Sequence, residues 1–182
     1  FLTLIGPSGA GKSTILRLIA NLISANSGDI LYQEKNISSL NPVQYRREVS
    51  YCFQQPSLFG QTVRDNLIFP YEIRKVDVND KQIADLLNQV DLSADFLDKK
   101  ITALSGGEKQ RVALIRNIIF LPKILLLDEV TTGLDNQSKD IVHNLIKDVS
   151  EKGVTIIQVT HDQSEIDEAS NILRVKKGGI IE

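Results

Sequence analysis

Methionine and tryptophan are absent from this chain of 182 residues, and cysteine occurs once, at Cys52. A single cysteine cannot close an internal disulfide, which excludes a disulfide-stapled secreted scaffold and suits a reducing compartment. Cys52 is read as a small buried apolar residue rather than a reactive thiol. Long hydrophobic runs are also missing. The nearest, IIFLPKILLL, is interrupted by Pro122 and Lys123 well short of the roughly 18 residues that span a bilayer. Nor does either sign of charge dominate: 21 Lys and Arg stand against 23 Asp and Glu, a net charge of −2. Such a balance sets up no field to attract nucleic acid, so no nucleic-acid partner is expected. No secretory leader pattern is recognised. A chain without methionine that opens on Phe1, in a strand entering a glycine-rich loop, reads as lacking its N-terminal portion.

What is present is globular in composition, with 42% hydrophobic and 24% charged residues, enough for one domain with a real core. Short apolar strands alternate with helical patterns, which predicts an α/β fold around a largely parallel sheet. The expected strands are 2–5, 29–32, 49–53, 124–128, 155–160 and 172–175. KILLLD and TIIQVT are continuous apolar runs, as required of strands covered on both faces. Residues 139–150 carry Ile141, Val142, Leu145, Ile146 and Val149 on one helical stripe. Between about 55 and 100 no good strand is found, and the amphipathic DKQIADLLNQV points to a helical insertion.

Residues 6–14, GPSGAGKST, match G-x-x-x-x-G-K-[ST] between an apolar strand and the apolar helix TILRLIANLI. Its glycines let successive N–H groups wrap phosphates at a helix's positive end. Lys12 would reach the β- and γ-phosphates, and Ser13 would bind Mg²⁺. KILLLDE ends a buried strand in two acids. Asp128 would hold Mg²⁺ through a water or Ser13, and Glu129 would orient or deprotonate an attacking water. His161 follows TIIQVT and could contact a γ-phosphate; Gln54 ends VSYCFQ and could ligate Mg²⁺ or the lytic water. LSGGE, residues 104–108, is a second helix start: Ser105 and Glu108 have capping-box spacing. The adjacent Gly106 and Gly107 leave bare backbone for a ligand.

Together these residues resemble the ATP-binding-cassette (ABC) ATPases along the whole chain. GPSGAGKST is similar to the family's Walker A motif, Gln54 to its Q-loop, and LSGGE to its signature. ILLLDE is similar to Walker B, Gly133-Leu134-Asp135 to the D-loop, and His161 to the switch histidine. The resemblance implies a P-loop NTPase fold, with a RecA-like, mostly parallel sheet lobe (residues 1–54 and 118–182) and a helical signature lobe (55–117). It implies ATP and Mg²⁺ as cofactors. The nucleotide would be bound by Gly6, Pro7, Ser8, Gly9, Ala10, Gly11, Lys12, Ser13 and Thr14. Glu129, His161, Gln54 and Lys12 would carry catalysis, with Ser13, Gln54 and Asp128 at the metal. In this family two copies pack head to tail, so Ser105, Gly106, Gly107 and Asp135 would meet the partner's nucleotide. That answers why one chain has two phosphate-binding helix starts.

Glu108 stands where the signature commonly has Gln, Val130 where Pro commonly follows the Walker B glutamate, and Gly133 where Ala is common in the D-loop. None of these departures removes a catalytic group. The family's adenine-stacking aromatic lies upstream of Walker A, so weak nucleotide binding is expected of these residues alone. YCFQQPSLFGQTVRDNLIFPYEIR, with LSGGEKQRVALIRN and LPKILLLDE, is similar to the ATPase of bacterial Fet-type exporters, assigned to iron export. That implies a subunit on the cytoplasmic face of the membrane driving a separate integral permease. Leu58, Phe59, Val63, Leu67, Ile68, Phe69 and Tyr71 would supply either a docking groove or the core of the helical lobe. The alternative is a soluble ABC ATPase acting on a cytosolic assembly such as the ribosome.

Overall fold

The computed structural model describes residues 1–176 and 179–181. The chain divides into two compact units, Phe1–Tyr51 with Pro122–Glu129 and Val154–Glu182, and Cys52–Leu121 with Val130–Gly153. Residues 130–153, which the sequence grouping has with the sheet, cluster with the second unit.

The first unit is built on strands β1 (Leu2–Ile5), β4 (Val49–Cys52), β5 (Ile124–Asp128), β6 (Thr155–Val159), β7 (Ile172–Lys176) and β8 (Gly179–Ile181). They form one sheet in the order β4-β5-β6-β1-β7-β8. β5 with β6, β6 with β1 and β1 with β7 are parallel, and β8 runs antiparallel to β7. The helices here are α1 (Lys12–Ile19), α2 (Pro42–Glu48) and α7 (Gln163–Asp167). Leu125, Leu126 and Leu127 of β5 are each at most 1% exposed, as an uninterrupted apolar run in a parallel sheet demands. α1 buries Leu16 in a cluster with Leu4, Val49, Leu126 and Val159, closed by Tyr45 and Tyr51. The register sets Leu4 and Asp128 both opposite Val159, so β1, β5 and β6 end at one level.

The strand expected over 29–32 differs. Only Leu31–Tyr32 (β2) is extended, and it pairs with Lys35–Asn36 (β3) in a separate two-stranded hairpin. Gln33 and Glu34 make the turn with φ of 49° and 64°. Both central residues are left-handed, as a tight hairpin needs, although neither is the glycine or asparagine that usually signals one.

The second unit holds α3 (Val63–Glu72), α4 (Asp80–Gln89), α5 (Gly106–Ile118) and α6 (Asn136–Glu151). As expected, residues 55–100 contribute no strand among those described, only an isolated bridge between Thr62 and Lys100. Fully buried Asn66 organises the chain before α3. Its amide nitrogen donates to the Phe59 and Thr62 carbonyls, and its oxygen accepts from Phe59 N–H and Arg116. Arg116 also donates to the Ser57 carbonyl and lies over the Phe59 ring. A buried amide with every valence used is a rigid clamp rather than a liability. Val63, Leu67 and Tyr71 are core residues, whereas Phe59 and Phe69 pack edge to face and stay exposed. Cys52 is buried, and burial pushes its thiol up to about 12, which leaves it unreactive. No helix among the described residues is long and apolar enough to cross a membrane.

Truncating Leu126 at the centre of this sheet should leave a cavity. Leu126→Ala is expected to cost about 3 kcal/mol, read in urea unfolding as a lower midpoint with an unchanged slope.

Candidate functional site

Three parallel neighbours deliver the first cluster. Beyond the C-terminal end of β1 comes the loop Gly6–Gly11; beyond β5 comes Glu129; beyond β6 come Thr160 and His161. Ligands of open α/β sheets bind at such strand ends. Gly6 can only be glycine. A β-carbon there would lie 2.0 Å from the Val175 carbonyl oxygen, so β7 presses directly on the loop's first residue. At the other end, Gly11 is the N-cap of α1 and has no side chain to bond the first-turn amides. α3, α4, α5 and α6 all have side-chain caps. The positive end of α1 is thus bare beside a run of backbone donors, the arrangement that binds phosphate. Pro7, Ser8 and Gly9 are exposed and Ala10 and Gly11 half-buried, while Thr14 is exposed on α1.

Lys12 is only 5% exposed. Its ammonium donates to the Gly6 and Pro7 carbonyls at 2.9 and 3.1 Å, which folds the side chain back over the loop. Ser13 Oγ donates to Asp128 Oδ1 at 2.7 Å. The other carboxylate oxygen accepts from the Tyr51 hydroxyl, and the Arg17 guanidinium interacts electrostatically with that phenol. Burial, then the Asp128 bond, pushes the Tyr51 phenol up to about 12. The bond with Tyr51 and its charge, and more weakly Asp128, raise Arg17 above its ordinary value. Neither Tyr51 nor Arg17 was expected from the motifs. The available signal was a tyrosine at an apolar strand position, where its hydroxyl must find a partner.

Glu129 adopts φ of 50°, a left-handed backbone that costs a non-glycine residue about 1 kcal/mol or more. Its N–H still donates to the Val159 carbonyl. The reversal sends its carboxylate to His161, with Nε2–Oε1 at 3.1 Å. His161 is 42% exposed and Glu129 17%, so a shielded acid sits against a more open imidazole. Next to them the Thr160 hydroxyl accepts from Asp162 N–H and Asp162 caps α7, which anchors the histidine's segment.

The second cluster belongs to the other unit. Ser105 caps α5: its hydroxyl accepts from Glu108 N–H, and Glu108 Oε2 accepts from Ser105 N–H at 2.7 Å. The capping box expected from spacing is therefore formed. Lys99 adds an ion pair to Glu108 Oε1 at 3.0 Å. Ser105 and Gly106 are exposed, and Gly107 meets the start of α6. A β-carbon on Gly107 would fall 2.6 Å from Ser138 Oγ. Asp135 caps α6 through both oxygens, accepting from Ser138 N–H and Ser138 Oγ. Those bonds, backbone first, hold its carboxyl below the usual range. Gln54, also in this unit, follows β4 and is exposed.

The ABC transporter family model matches residues 1–132. The chain is 46% identical over 177 residues to the probable iron export ATP-binding protein FetA of Escherichia coli (strain K12), covering 97% of the chain and 79% of that protein. It is 36% identical over 191 residues to a putative export ATP-binding/permease protein of Rickettsia bellii (strain RML369-C), covering 99% of the chain but 32% of that longer protein. Among solved structures it is similar to the ATP-binding cassette MJ0796, determined as a dimer in a post-hydrolysis state bound to ADP and Pi. The TM-score is 0.87 at 28% identity, over all of this chain and 83% of that one.

The Glu108 carboxyl lies below its ordinary value: desolvation, the largest single influence, is outweighed by the Ser105 and Lys99 interactions. A depressed carboxylate stabilises the fold above its unfolded value, and that contribution disappears as pH falls through the folded one. Glu108→Gln should lower stability at pH 7 by under about 1 kcal/mol. It should also shrink the acid loss of stability, measured by urea unfolding at neutral pH and near pH 3.

Proposed function

The chain belongs to the ABC transporter family and is an ATPase of that type; from that premise we propose that it powers export through a separate membrane permease, two copies closing head to tail on ATP. One observation carries the proposal. Ser13 Oγ on Asp128 at 2.7 Å and His161 on Glu129 at 3.1 Å set a hydroxyl, two acids and an imidazole at neighbouring strand ends beside the loop. The MJ0796 cassette, similar in fold, is bound to ADP and Pi, and ligands of open α/β sheets bind at such strand ends, which supports this reading.

Gly6 to Thr14 cradle the triphosphate with backbone N–H groups and the uncapped start of α1. The Lys12 ammonium, bonded to the Gly6 and Pro7 carbonyls, turns outward to the β- and γ-phosphates as stronger, charged acceptors arrive. The donor set fits Mg²⁺. Among the described residues no cluster of three His, Cys, Asp or Glu could cage a metal, whereas the Ser13 hydroxyl and Asp128 carboxylate are adjacent hard oxygens. Mg²⁺ is characteristically held by one or two protein oxygens, with phosphates and waters completing the shell. When bound, Mg²⁺ neutralises charge on the β- and γ-phosphate oxygens. Ser13 and Asp128 are the residues that would hold it.

Glu129 accepts the proton of the attacking water as its oxygen bonds to the γ-phosphorus and the bond to the ADP oxygen breaks. His161, held on the Glu129 carboxylate, has a second nitrogen with which to contact the γ-phosphate. Ser105, Gly106, Gly107 and Asp135 serve the nucleotide of the opposite copy. Because that nucleotide then bridges two chains, ATP favours the closed dimer and hydrolysis removes the bridge. The dimeric MJ0796 cassette supports such pairing.

Export is supported by similarity to the probable iron export protein FetA and the putative export protein of R. bellii, and iron as cargo by FetA alone. Exposed Phe53, Phe59 and Phe69, in a charged chain with no spanning helix among the described residues, suit an apolar element of a permease at the cytoplasmic membrane face.

Glu129→Gln should reduce ATP turnover about 100-fold or more while retaining nucleotide. With Mg-ATP the variant should elute as a dimer, and without nucleotide as a monomer, by size-exclusion chromatography with light scattering. Undiminished turnover would remove Glu129 from the role of base. Recovery of the native full-length protein with a stoichiometric multi-span protein would support the permease; recovery only with a soluble assembly would contradict it.

A further inference from the structure

Ser13 and Arg17 lie four residues apart on α1, hence on one face, and both lead to the same carboxylate. Ser13 reaches Asp128 Oδ1 directly; the Arg17 guanidinium interacts electrostatically with Tyr51, whose hydroxyl bonds Oδ2. Asp128 is 3% exposed and Tyr51 8%, whereas Arg17 is exposed at the outer end of the chain. Tyr51 and Asp128 come from adjacent strands, β4 and β5. We propose that Tyr51, braced by Arg17, is a positioning residue that sets the rotation of the Asp128 carboxylate and thereby its affinity for the divalent cation. This rests on Asp128 being the metal-holding acid.

The reason is hydrogen-bond accounting. An ionised carboxylate this buried needs donors on both oxygens. If Ser13 directs its oxygen lone pair at a cation, its proton still satisfies Oδ1. Oδ2 then depends on Tyr51, and a carboxylate with one oxygen fixed outside the metal site cannot swing about its last torsion. The positive charge of Arg17 near the phenol repels its proton, which favours the orientation in which that proton points to Asp128. Partners of this kind, one step removed from a metal, commonly change its affinity by 10- to 100-fold.

The test is Mn²⁺ binding to the full-length ATPase with the non-hydrolysable analogue AMPPNP, read by electron paramagnetic resonance, beside AMPPNP binding in EDTA. Tyr51→Phe, which removes the proton and keeps the ring, should weaken Mn²⁺ about 10-fold and leave the metal-free AMPPNP affinity unchanged. Arg17→Ala, at an exposed position, should weaken it about threefold, with Arg17→Lys recovering part of the loss. Unchanged Mn²⁺ affinity in Tyr51→Phe, beside weakened Mn²⁺ in Asp128→Asn, would overturn the proposal alone. Intact Mn²⁺ affinity in Asp128→Asn would overturn the metal assignment and the proposal with it. An equal fall in metal-free nucleotide affinity would also overturn it, since that marks a disturbed phosphate loop. If Tyr51→Phe does not fold, the Arg17 pair decides, and wild-type Mn²⁺ affinity in Arg17→Ala overturns it.

Discussion

A carboxylate buried to 3% exposure at the end of a central strand is the constraint around which the first unit is arranged. A carboxylate oxygen buried there without a hydrogen-bond partner would cost several kcal/mol. The donors come from elements distant in the chain, Ser13 on α1 and Tyr51 on β4. Satisfying one side chain therefore ties the phosphate loop's helix and the edge strand to β5. The apolar cluster of Leu4, Leu16, Val49 and Leu126 does the same with undirected burial. Burial brings the elements together, and the carboxylate sets how they meet.

The two clusters solve the helix-end problem in opposite ways. α5 and α6 satisfy their first amides internally, through Ser105 with Glu108 and through Asp135. They are finished helix starts whose exposed backbone, at Ser105 and Gly106, is shaped rather than needy. α1 starts on Gly11 with no capping side chain, so its amides remain for an anion from outside the fold. The difference is the one the proposed mechanism requires, in which α1 would grip the phosphates of its own nucleotide and α5 would complete a site on a second copy.

Much of the fold was legible because its signals are local. ILLLD could be read as a buried parallel strand, since no polar residue interrupts it before its end. TIIQV is the strand expected, but with Gln158 within it only Ile156 and Val159 are fully buried. Helix α6 begins three residues earlier and ends one later than its apolar periodicity suggested, because the polar cap Asp135 rather than an apolar residue starts it. The β2–β3 hairpin was illegible: its turn uses Gln33 and Glu34 in left-handed conformations, which carry no sequence signature. Cys52 was read correctly as buried, as its place among apolar strand residues suggested.

For the site, the phosphate loop, the acid pair after ILLL and the S-x-x-E box could be named from sequence, because each packs its chemistry into a few consecutive residues. What each is bonded to could not be. Arg17 and Tyr51 are unremarkable in sequence, and the Tyr51–Asp128 bond joins positions 77 apart. The close approach of Val175 to Gly6, and of Ser138 to Gly107, likewise exists only between elements that the folded chain brings together. Sequence by itself determined which groups would be available: glycine loops, an ammonium, a hydroxyl, two acids and an imidazole. The tertiary structure alone decided which of them touch, because strand order and register, not spacing along the chain, set the distance between side chains on different elements.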